Sequence, residues 1–154
     1  MAARRVDALL TDYASYHRTR GNLVCHFFGI TLIVFGSVVL LRAVRLPGAP
    51  SVTAAELLIG AVLLFYLTLD VSLALVMLIE FALFDIAARA IAEWRVGLAA
   101  FLLGWVFQGV GHARFERNSP AFFKNLAHLM VGPLFLANEL LRIRPTGHDA
   151  PSPP

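Results

Sequence analysis

Long apolar stretches separated by short polar segments dominate the chain. The first stretch, residues 23–41, carries His26 as its only charged or imidazole side chain. Apolar character resumes over residues 54–92, which is too long for one helix crossing about 30 Å of hydrocarbon. A carboxylate inside a membrane span is costly, so we place a tight turn at Asp70. The pattern therefore predicts helices over residues 23–41, 54–69 and 71–88.

Two more apolar stretches follow. Residues 96–111 predict a fourth span, in which four glycines would let neighbouring helices approach closely: Gly97, Gly104, Gly109 and Gly111. Residues 122–141 are apolar but contain Lys124, His128 and a Gly132-Pro133 pair. This last stretch either crosses with a kink or dips into the membrane and returns. Residues 46–51, which are rich in proline and glycine, predict a loop.

The first twenty residues have no apolar core of the kind found in signal peptides. Val6, Leu9, Leu10 and Tyr13 recur at helical spacing, which predicts an amphipathic helix lying on the membrane surface. The predicted fold is all-α: an integral membrane helical bundle with four or five membrane segments plus this N-terminal helix. Residues 1–145 form a single membrane-embedded domain in this interpretation, and residues 146–154 form a disordered tail.

Composition supports a membrane protein. Of 154 residues, 58% are hydrophobic and 15% are charged. In soluble domains, about a quarter of all residues are charged. The net charge is +3, but the basic residues lie in pairs between apolar stretches, which is typical of membrane flanks and not of a nucleic-acid-binding surface. The single cysteine, Cys25, excludes an internal disulfide and a cysteine-based zinc site.

The distribution of basic residues bears on orientation. If the first four segments cross, the N-terminus, the Asp70 turn and the segment after residue 111 share one side of the membrane. If the fifth segment crosses, that side holds seven basic residues and the other side holds six. If the fifth segment does not cross, the numbers are nine and four. Either count favours a cytoplasmic N-terminal side. We expect the inner membrane in a bacterium, or the endoplasmic reticulum in a eukaryote.

Four histidines stand near that same side: His17, His26, His112 and His128. Asn22 and His26 are four residues apart, as are Gln108, His112 and Glu116 in succession, so each set shares a helix face. Three imidazoles and one carboxylate suit Fe(II), Zn or Mn, and imidazole with carboxylate is the usual non-haem Fe(II) set. From the residues alone, structural histidines that bond backbone or lipid headgroups remain the alternative.

Two motifs resemble a known family. The first is Tyr16-His17, then Asn22 and His26, in the pattern Y-H-x4-N-x3-H. The second covers residues 104–121 and reads G-W-x-x-Q-x-x-G-H-x-x-F-E-x-x-x-P-A. Both are similar to the yeast-type 2-hydroxy fatty acid dioxygenase family of small integral membrane proteins. Glu139, near the end of the chain, lies in a C-terminal stretch that also resembles that family.

The resemblance implies an Fe(II)-dependent enzyme that shortens a 2-hydroxy fatty acid by one carbon using O2 (fatty acid alpha-oxidation). It implies His17, His26 and His112 as metal ligands and Glu116 as a fourth ligand or an acceptor that orients an imidazole. Asn22 and Gln108 would be hydrogen bonders around them. His128 does not match a family histidine and is a weaker ligand candidate.

Two other functions stay open at this point. One is an electron-transfer protein whose haem is held by two histidines, for example His26 and His112. The other is a non-enzymatic membrane scaffold or carrier with structural histidines. The expected partners are the 2-hydroxy fatty acid, O2 and membrane lipid, with no nucleic acid; the acyl chain length is not fixed by the sequence.

Overall fold

The computed structural model describes residues 2–116, 127–144 and 146. Its helices are α1 (Ala2–Ser15), α2 (Arg20–Arg42), α3 (Ala54–Leu69), α4 (Val71–Ile91), α5 (Trp94–Val110), a π-helix (Gly111–Glu116) and α6 (Ala127–Leu141). A short antiparallel hairpin, β1 (Arg45–Leu46) and β2 (Ala49–Thr53), joins α2 to α3. The all-α prediction is confirmed apart from this hairpin, which takes the place of the predicted loop. The start of the predicted 122–141 segment and the predicted tail, except Thr146, lie outside the described residues.

The predicted turn at Asp70 is confirmed. Asp70 has an extended backbone, with φ −159° and ψ 125°, so α3 ends there. Its side chain accepts a hydrogen bond of 2.9 Å from the backbone N–H of Leu73 and so caps the start of α4. One carboxylate thereby ends one helix and begins the next.

Helices α2 and α5 pack closely along a line of glycines. A Cβ placed on Gly104 would lie 2.6 Å from the carbonyl oxygen of Gly29, and one on Gly36 would lie 2.6 Å from the carbonyl oxygen of Gly97. The close approach predicted for Gly97, Gly104 and Gly111 is therefore confirmed. A Cβ placed on Gly109 would meet no atom of another described segment within 4 Å, so the prediction for that glycine is wrong.

Helix α1 buries its apolar face in protein. Val6 and Leu10 are completely buried, and Tyr13 is nearly so. They belong to one core with Tyr66 and Phe135. The prediction of an amphipathic helix is confirmed, but its apolar face packs on the other helices instead of lying on the membrane surface. The physical reason is that α3 and α6 provide an apolar surface for it to cover.

Helix α6 lies beside α1. Near its beginning, His128 Nε2 is 2.7 Å from Asp12 Oδ2, and after its end the Arg144 guanidinium bonds Asp70 and approaches Asp7 at 3.5 Å. Tyr66 of α3 also donates a 2.6 Å hydrogen bond to the carbonyl of Met130. Both ends of α6 are thus held against α1.

Another network ties α2, α3 and α4 together. Arg42 bonds Asp85 and lies 3.0 Å from Glu56, while Arg89 bonds the same two carboxylates at 2.8 Å and 3.0 Å. These charges balance one another in a partly buried cluster, which is the condition under which such pairs are tolerated.

The outer surface of the bundle is strongly apolar. Leu64, Ile86 and Leu140 are each more than 60% exposed, and many other large apolar side chains are also exposed. Within the described residues, three helical stretches are long and apolar enough to cross a membrane: Arg20–Arg42, Val71–Ile91 and Trp94–Glu116. Helices α3 and α6 are apolar but shorter. An apolar exterior of this extent is consistent with a protein solvated by lipid.

Candidate metal centre

Three histidines distant in sequence meet inside the bundle. His17 lies in the connection between α1 and α2, His26 in the second turn of α2, and His112 in the π-helix. All three are at most 3% exposed, and one ring nitrogen from each lies within 4.8 Å of the other two. The convergence of these three positions, expected from their spacing and topology, is present in the structure.

Backbone carbonyls fix the orientation of two of the rings. His17 Nδ1 is 2.7 Å from the carbonyl oxygen of Tyr13, and His26 Nδ1 is 3.0 Å from that of Asn22. A carbonyl only accepts hydrogen bonds, so each Nδ1 carries the proton and each neutral ring presents an unprotonated Nε2. This is how proteins commonly orient histidines that bind metals.

The two Nε2 atoms face each other at 3.0 Å. With both Nδ1 atoms protonated, neither Nε2 of the neutral rings has a hydrogen to donate, and two lone pairs oppose each other at hydrogen-bond distance. A cation between or beside them removes this repulsion. The arrangement therefore fits a bound metal ion better than two structural histidines.

His17 is held in the form that binds metals. Burial lowers its pKa to about 4, so the ring is neutral at physiological pH. The ring of Tyr13 stacks on it with centroids 4.1 Å apart and an angle of 9° between the planes. Stacking and the hydrogen bond to the Tyr13 carbonyl together fix the position of the ring.

The π-helix brings His112 to the other two rings. Its first residue, Gly111, is so close to α2 that an added Cβ would lie 2.4 Å from Asn22 Oδ1 and 2.9 Å from Cys25 Cβ. Single π-helical turns are often found at functional sites. The helix thus continues past Gly111, as the Gln108, His112 and Glu116 spacing requires, but with a wider turn.

Glu116 holds the chain around the cluster. Its Oε1 accepts hydrogen bonds from the backbone N–H groups of Arg18 and Thr19 at 2.7 and 2.8 Å, and from the Thr19 hydroxyl at 3.0 Å. The Asn22 side chain donates a fourth at 3.2 Å. Glu116 does not belong to the group of potential ligand atoms among the described residues. It joins the segment that carries His17 to the π-helix that carries His112.

Four buried polar side-chain atoms lack a hydrogen-bond partner within the described residues: Asn22 Oδ1, Gln108 Nε2, His112 Nδ1 and His128 Nδ1. Gln108, His112 and His128 all line one cavity of about 70 Å³, together with His17 and His26. Buried polar groups are rarely left unpaired. Their concentration around one cavity indicates a site for a polar ligand.

An apolar groove adjoins this cavity. It has a volume of about 430 Å³ and lies between α2, α4 and α6. Ile30 and Pro133 line both spaces, so they form a shared wall. The histidine cluster thus has a small cavity beside it and a larger apolar groove next to that.

Sequence reasoning missed two contributors. Tyr13 stands four residues before His17, a spacing that would have indicated the contact. The bond between Asp12 and His128 joins residues 116 positions apart, and nothing in the local sequence indicates it.

Fold and site together define a small helical protein with an apolar outer surface and a buried centre of three imidazoles. Residues 3–143 match the family described as Mpo1-like, 2-hydroxy-palmitic acid dioxygenase Mpo1-like, and the chain belongs to this family. It is 31% identical over 133 residues to a Saccharomyces cerevisiae protein named 2-hydroxy-palmitic acid dioxygenase MPO1, covering 84% of this chain and 75% of the yeast protein. No solved structure matches the chain. The family resemblance inferred from the two sequence motifs is confirmed.

Proposed function

We propose that this protein is a membrane-bound Fe(II)-dependent dioxygenase that shortens 2-hydroxy fatty acids by one carbon, with the iron held by His17, His26 and His112. The observation that carries the proposal is the pair of unprotonated Nε2 atoms 3.0 Å apart, fixed by the carbonyls of Tyr13 and Asn22. The name of the yeast relative supports the reaction class and the substrate class.

The donor set fits iron. The ring nitrogens of His17 and His26 that lie 3.0 Å apart and a ring nitrogen of His112 within 4.8 Å of both would hold the ion. Imidazole nitrogens are suitable ligands for Fe(II), and a set of three protein ligands would leave positions for substrate and O2.

Bound Fe(II) would supply the O2 chemistry, and the protein would supply position and surroundings. The carbonyls of Tyr13 and Asn22 hold two rings in the required tautomer. Glu116 keeps the His17 segment against the π-helix. Apolar walls keep bulk water away from the cavity, which protects reactive states from side reactions.

The two adjoining spaces accommodate different parts of the substrate. The small cavity beside the histidines accommodates the carboxylate and 2-hydroxyl head, and the groove beyond Ile30 and Pro133 accommodates the acyl tail. Transfer of the tail from water into the groove would contribute about 0.8 kcal/mol of binding free energy per CH2. A tail that arrives from the bilayer is already in hydrocarbon, so recognition depends on the head.

The packing of α6 favours one orientation. Because both ends of α6 lie against α1, we place four crossings before it and none within it. Nine basic residues then stand on the N-terminal side against four on the other, which favours a cytoplasmic location for the histidine cluster.

The haem alternative has less support. The cavity beside the histidines has a volume of about 70 Å³. Such a space accommodates a few water molecules or a small polar head group, whereas a porphyrin needs far more room. The third imidazole beside His26 and His112 is also not part of a bis-histidine haem site.

The test is iron content combined with product analysis. Purified protein is analysed for metal by mass spectrometry, loaded anaerobically with Fe(II), and given O2 with 2-hydroxypalmitate. We expect about one iron per chain and a fatty acid one carbon shorter, with no product from palmitate. His112→Ala should lose the iron and the product, while the control His148→Ala, at a position outside the described residues, should keep both. Wild-type iron in His112→Ala, or a metal-free active protein, contradicts the proposal.

A further inference from the structure

We propose that His128, oriented by Asp12, recognises the 2-hydroxyl group of the substrate by accepting its hydrogen bond at Nδ1. In this chain, His128 would then favour 2-hydroxy acids over simple fatty acids. This inference rests on the proposed function, and it concerns a residue outside the group of three ligands.

The pairing with Asp12 sets the tautomer of His128. Its Nε2 lies 2.7 Å from Asp12 Oδ2. An ionised carboxylate only accepts hydrogen bonds, so Nε2 carries the proton, and in the neutral ring Nδ1 presents a lone pair. The side chain of Asp12 is half exposed, whereas that of His128 is 3% exposed. The aspartate thus reaches water while the imidazole stays inside.

The free acceptor belongs to a residue of the substrate cavity. His128 Nδ1 is buried and has no hydrogen-bond partner in the described part of the chain. The ring lines the same cavity as the three ligand histidines. An unpaired buried acceptor is costly, so a ligand that donates a hydrogen bond to it gains specificity as well as affinity.

A 2-hydroxy acid has the complementary groups. Its hydroxyl is a donor, and its carboxylate on the adjacent carbon is an acceptor. The cavity offers the acceptor Nδ1 of His128 and the unpaired donor Nε2 of Gln108. A simple fatty acid satisfies only the second of these and leaves the lone pair on His128 buried without a partner.

The ring of His128 is also held in one plane. The Tyr13 ring lies 5.5 Å from it at an angle of 60°, and the Tyr16 ring lies 5.7 Å from it at 71°. Edge contacts of this kind restrict rotation of the imidazole. With Nε2 committed to Asp12, the ring is positioned for a ligand and is not part of the metal-binding group of the described residues.

Two substitutions test the roles of the two ring nitrogens of His128 separately. The amide of glutamine reaches the position of Nε2, so His128→Gln keeps the bond to Asp12 but loses the acceptor at Nδ1. The shorter amide of asparagine reaches the position of Nδ1, so His128→Asn keeps the acceptor but loses the bond to Asp12. Asp12→Asn is a third variant, at a half-exposed position, which permits the opposite tautomer of His128.

The assay measures the binding of 2-hydroxypalmitate and of palmitate to purified protein in nanodiscs under nitrogen, without turnover. The signal is the change in tryptophan fluorescence, to which Trp105 in the cavity wall contributes alongside Trp94. We expect the preference for the hydroxy acid to fall about tenfold in His128→Gln and to fall in Asp12→Asn. His128→Asn should keep most of the preference, and all variants should keep wild-type iron.

The possible outcomes are distinct. An unchanged preference in His128→Gln and Asp12→Asn overturns the inference, and so does a wild-type protein that binds both acids equally. Loss of iron in His128→Gln identifies a metal ligand and also overturns it. Failure of the proposed function appears separately, as absence of iron or product in the wild type, because the binding preference is measured without turnover.

Discussion

Gly104→Ala tests whether the contact between α2 and α5 positions the metal centre. The added Cβ would lie 2.6 Å from the carbonyl oxygen of Gly29, 2.7 Å from Ile33 Cγ1 and 2.9 Å from the backbone nitrogen of Ile33. Two of these three atoms belong to the backbone of α2. A change of rotamer therefore cannot relieve the contact, and the two helices must move apart.

The size of the effect follows from these distances. An ordinary contact requires about 3.4 Å, so the helices must separate locally by several tenths of an ångström. Overpacking of this kind costs about 1–3 kcal/mol, or roughly 2–10 °C in Tm for a chain of this size. His26 lies one turn before Gly29 on α2, and His112 lies beyond Gly104 on the other helix. The separation therefore also widens the ligand set.

Gly109→Ala is the matched control. It makes the same chemical change on the same helix, at a position where the added Cβ would have no contact within 4 Å among the residues that the structure describes. It should gain up to about 1 kcal/mol of helix propensity and keep its iron. Thermal melting in detergent and iron per chain are measured for both variants. A Gly104→Ala protein that equals Gly109→Ala in Tm and iron content would refute the role of the glycine contact.

Three further substitutions test other contacts. Glu116→Gln keeps an oxygen acceptor but loses its charge, so we expect the free energy of unfolding to fall by about 1–2 kcal/mol, measured as a lower Tm, with iron retained. A loss of iron at unchanged Tm would instead identify Glu116 as a ligand. Tyr66→Phe leaves the Met130 carbonyl without its buried donor. The change should cost about 1–2 kcal/mol, whereas an unchanged Tm would show that the bond adds nothing. Burial alone would raise the pKa of Asp70, but a backbone N–H and the Arg144 guanidinium outweigh it and lower the pKa. The ionised Asp70 therefore stabilises the fold fully at a pH above the ordinary pKa, and this stabilisation is lost as the pH falls through the lower pKa of the folded state. Asp70→Asn should for this reason reduce the fall in Tm between about pH 5 and pH 3. An equally steep fall in the variant would assign the acid sensitivity to other groups.

The helices were predictable because hydrophobic length and the cost of a buried charge act locally. Asp70 interrupts an apolar stretch that is too long for one crossing, and the structure ends α3 and begins α4 at that residue. The meeting of His17, His26 and His112 followed from topology, because alternate crossings return the chain to one side. Both predictions depend on the lengths of the apolar stretches and on the polar residues that separate them, which can be recognised from the local sequence.

Other features depend on packing between distant segments. The apolar face of α1 has the same pattern whether it covers lipid or protein, and only the surface offered by α3 and α6 decides between them. Glu116 stands four residues after His112, and the family resemblance implies that it is a ligand or an acceptor for an imidazole. Its hydrogen bonds instead reach Arg18 and Thr19, almost a hundred residues earlier in the chain. No local pattern indicates such a partner.

The arrangement of the site explains why packing and chemistry are linked in this protein. Each ligand histidine comes from a different segment, so their separation depends on contacts that bring those segments together. The glycine line sets the distance between α2 and the helix that carries His112, and Glu116 fixes the segment of His17 to that same helix. The opposed lone pairs of His17 and His26 make the fully packed arrangement unfavourable unless a cation is present. If the three histidines bind a metal ion as proposed, metal binding and close packing stabilise each other, and weakening one should weaken the other.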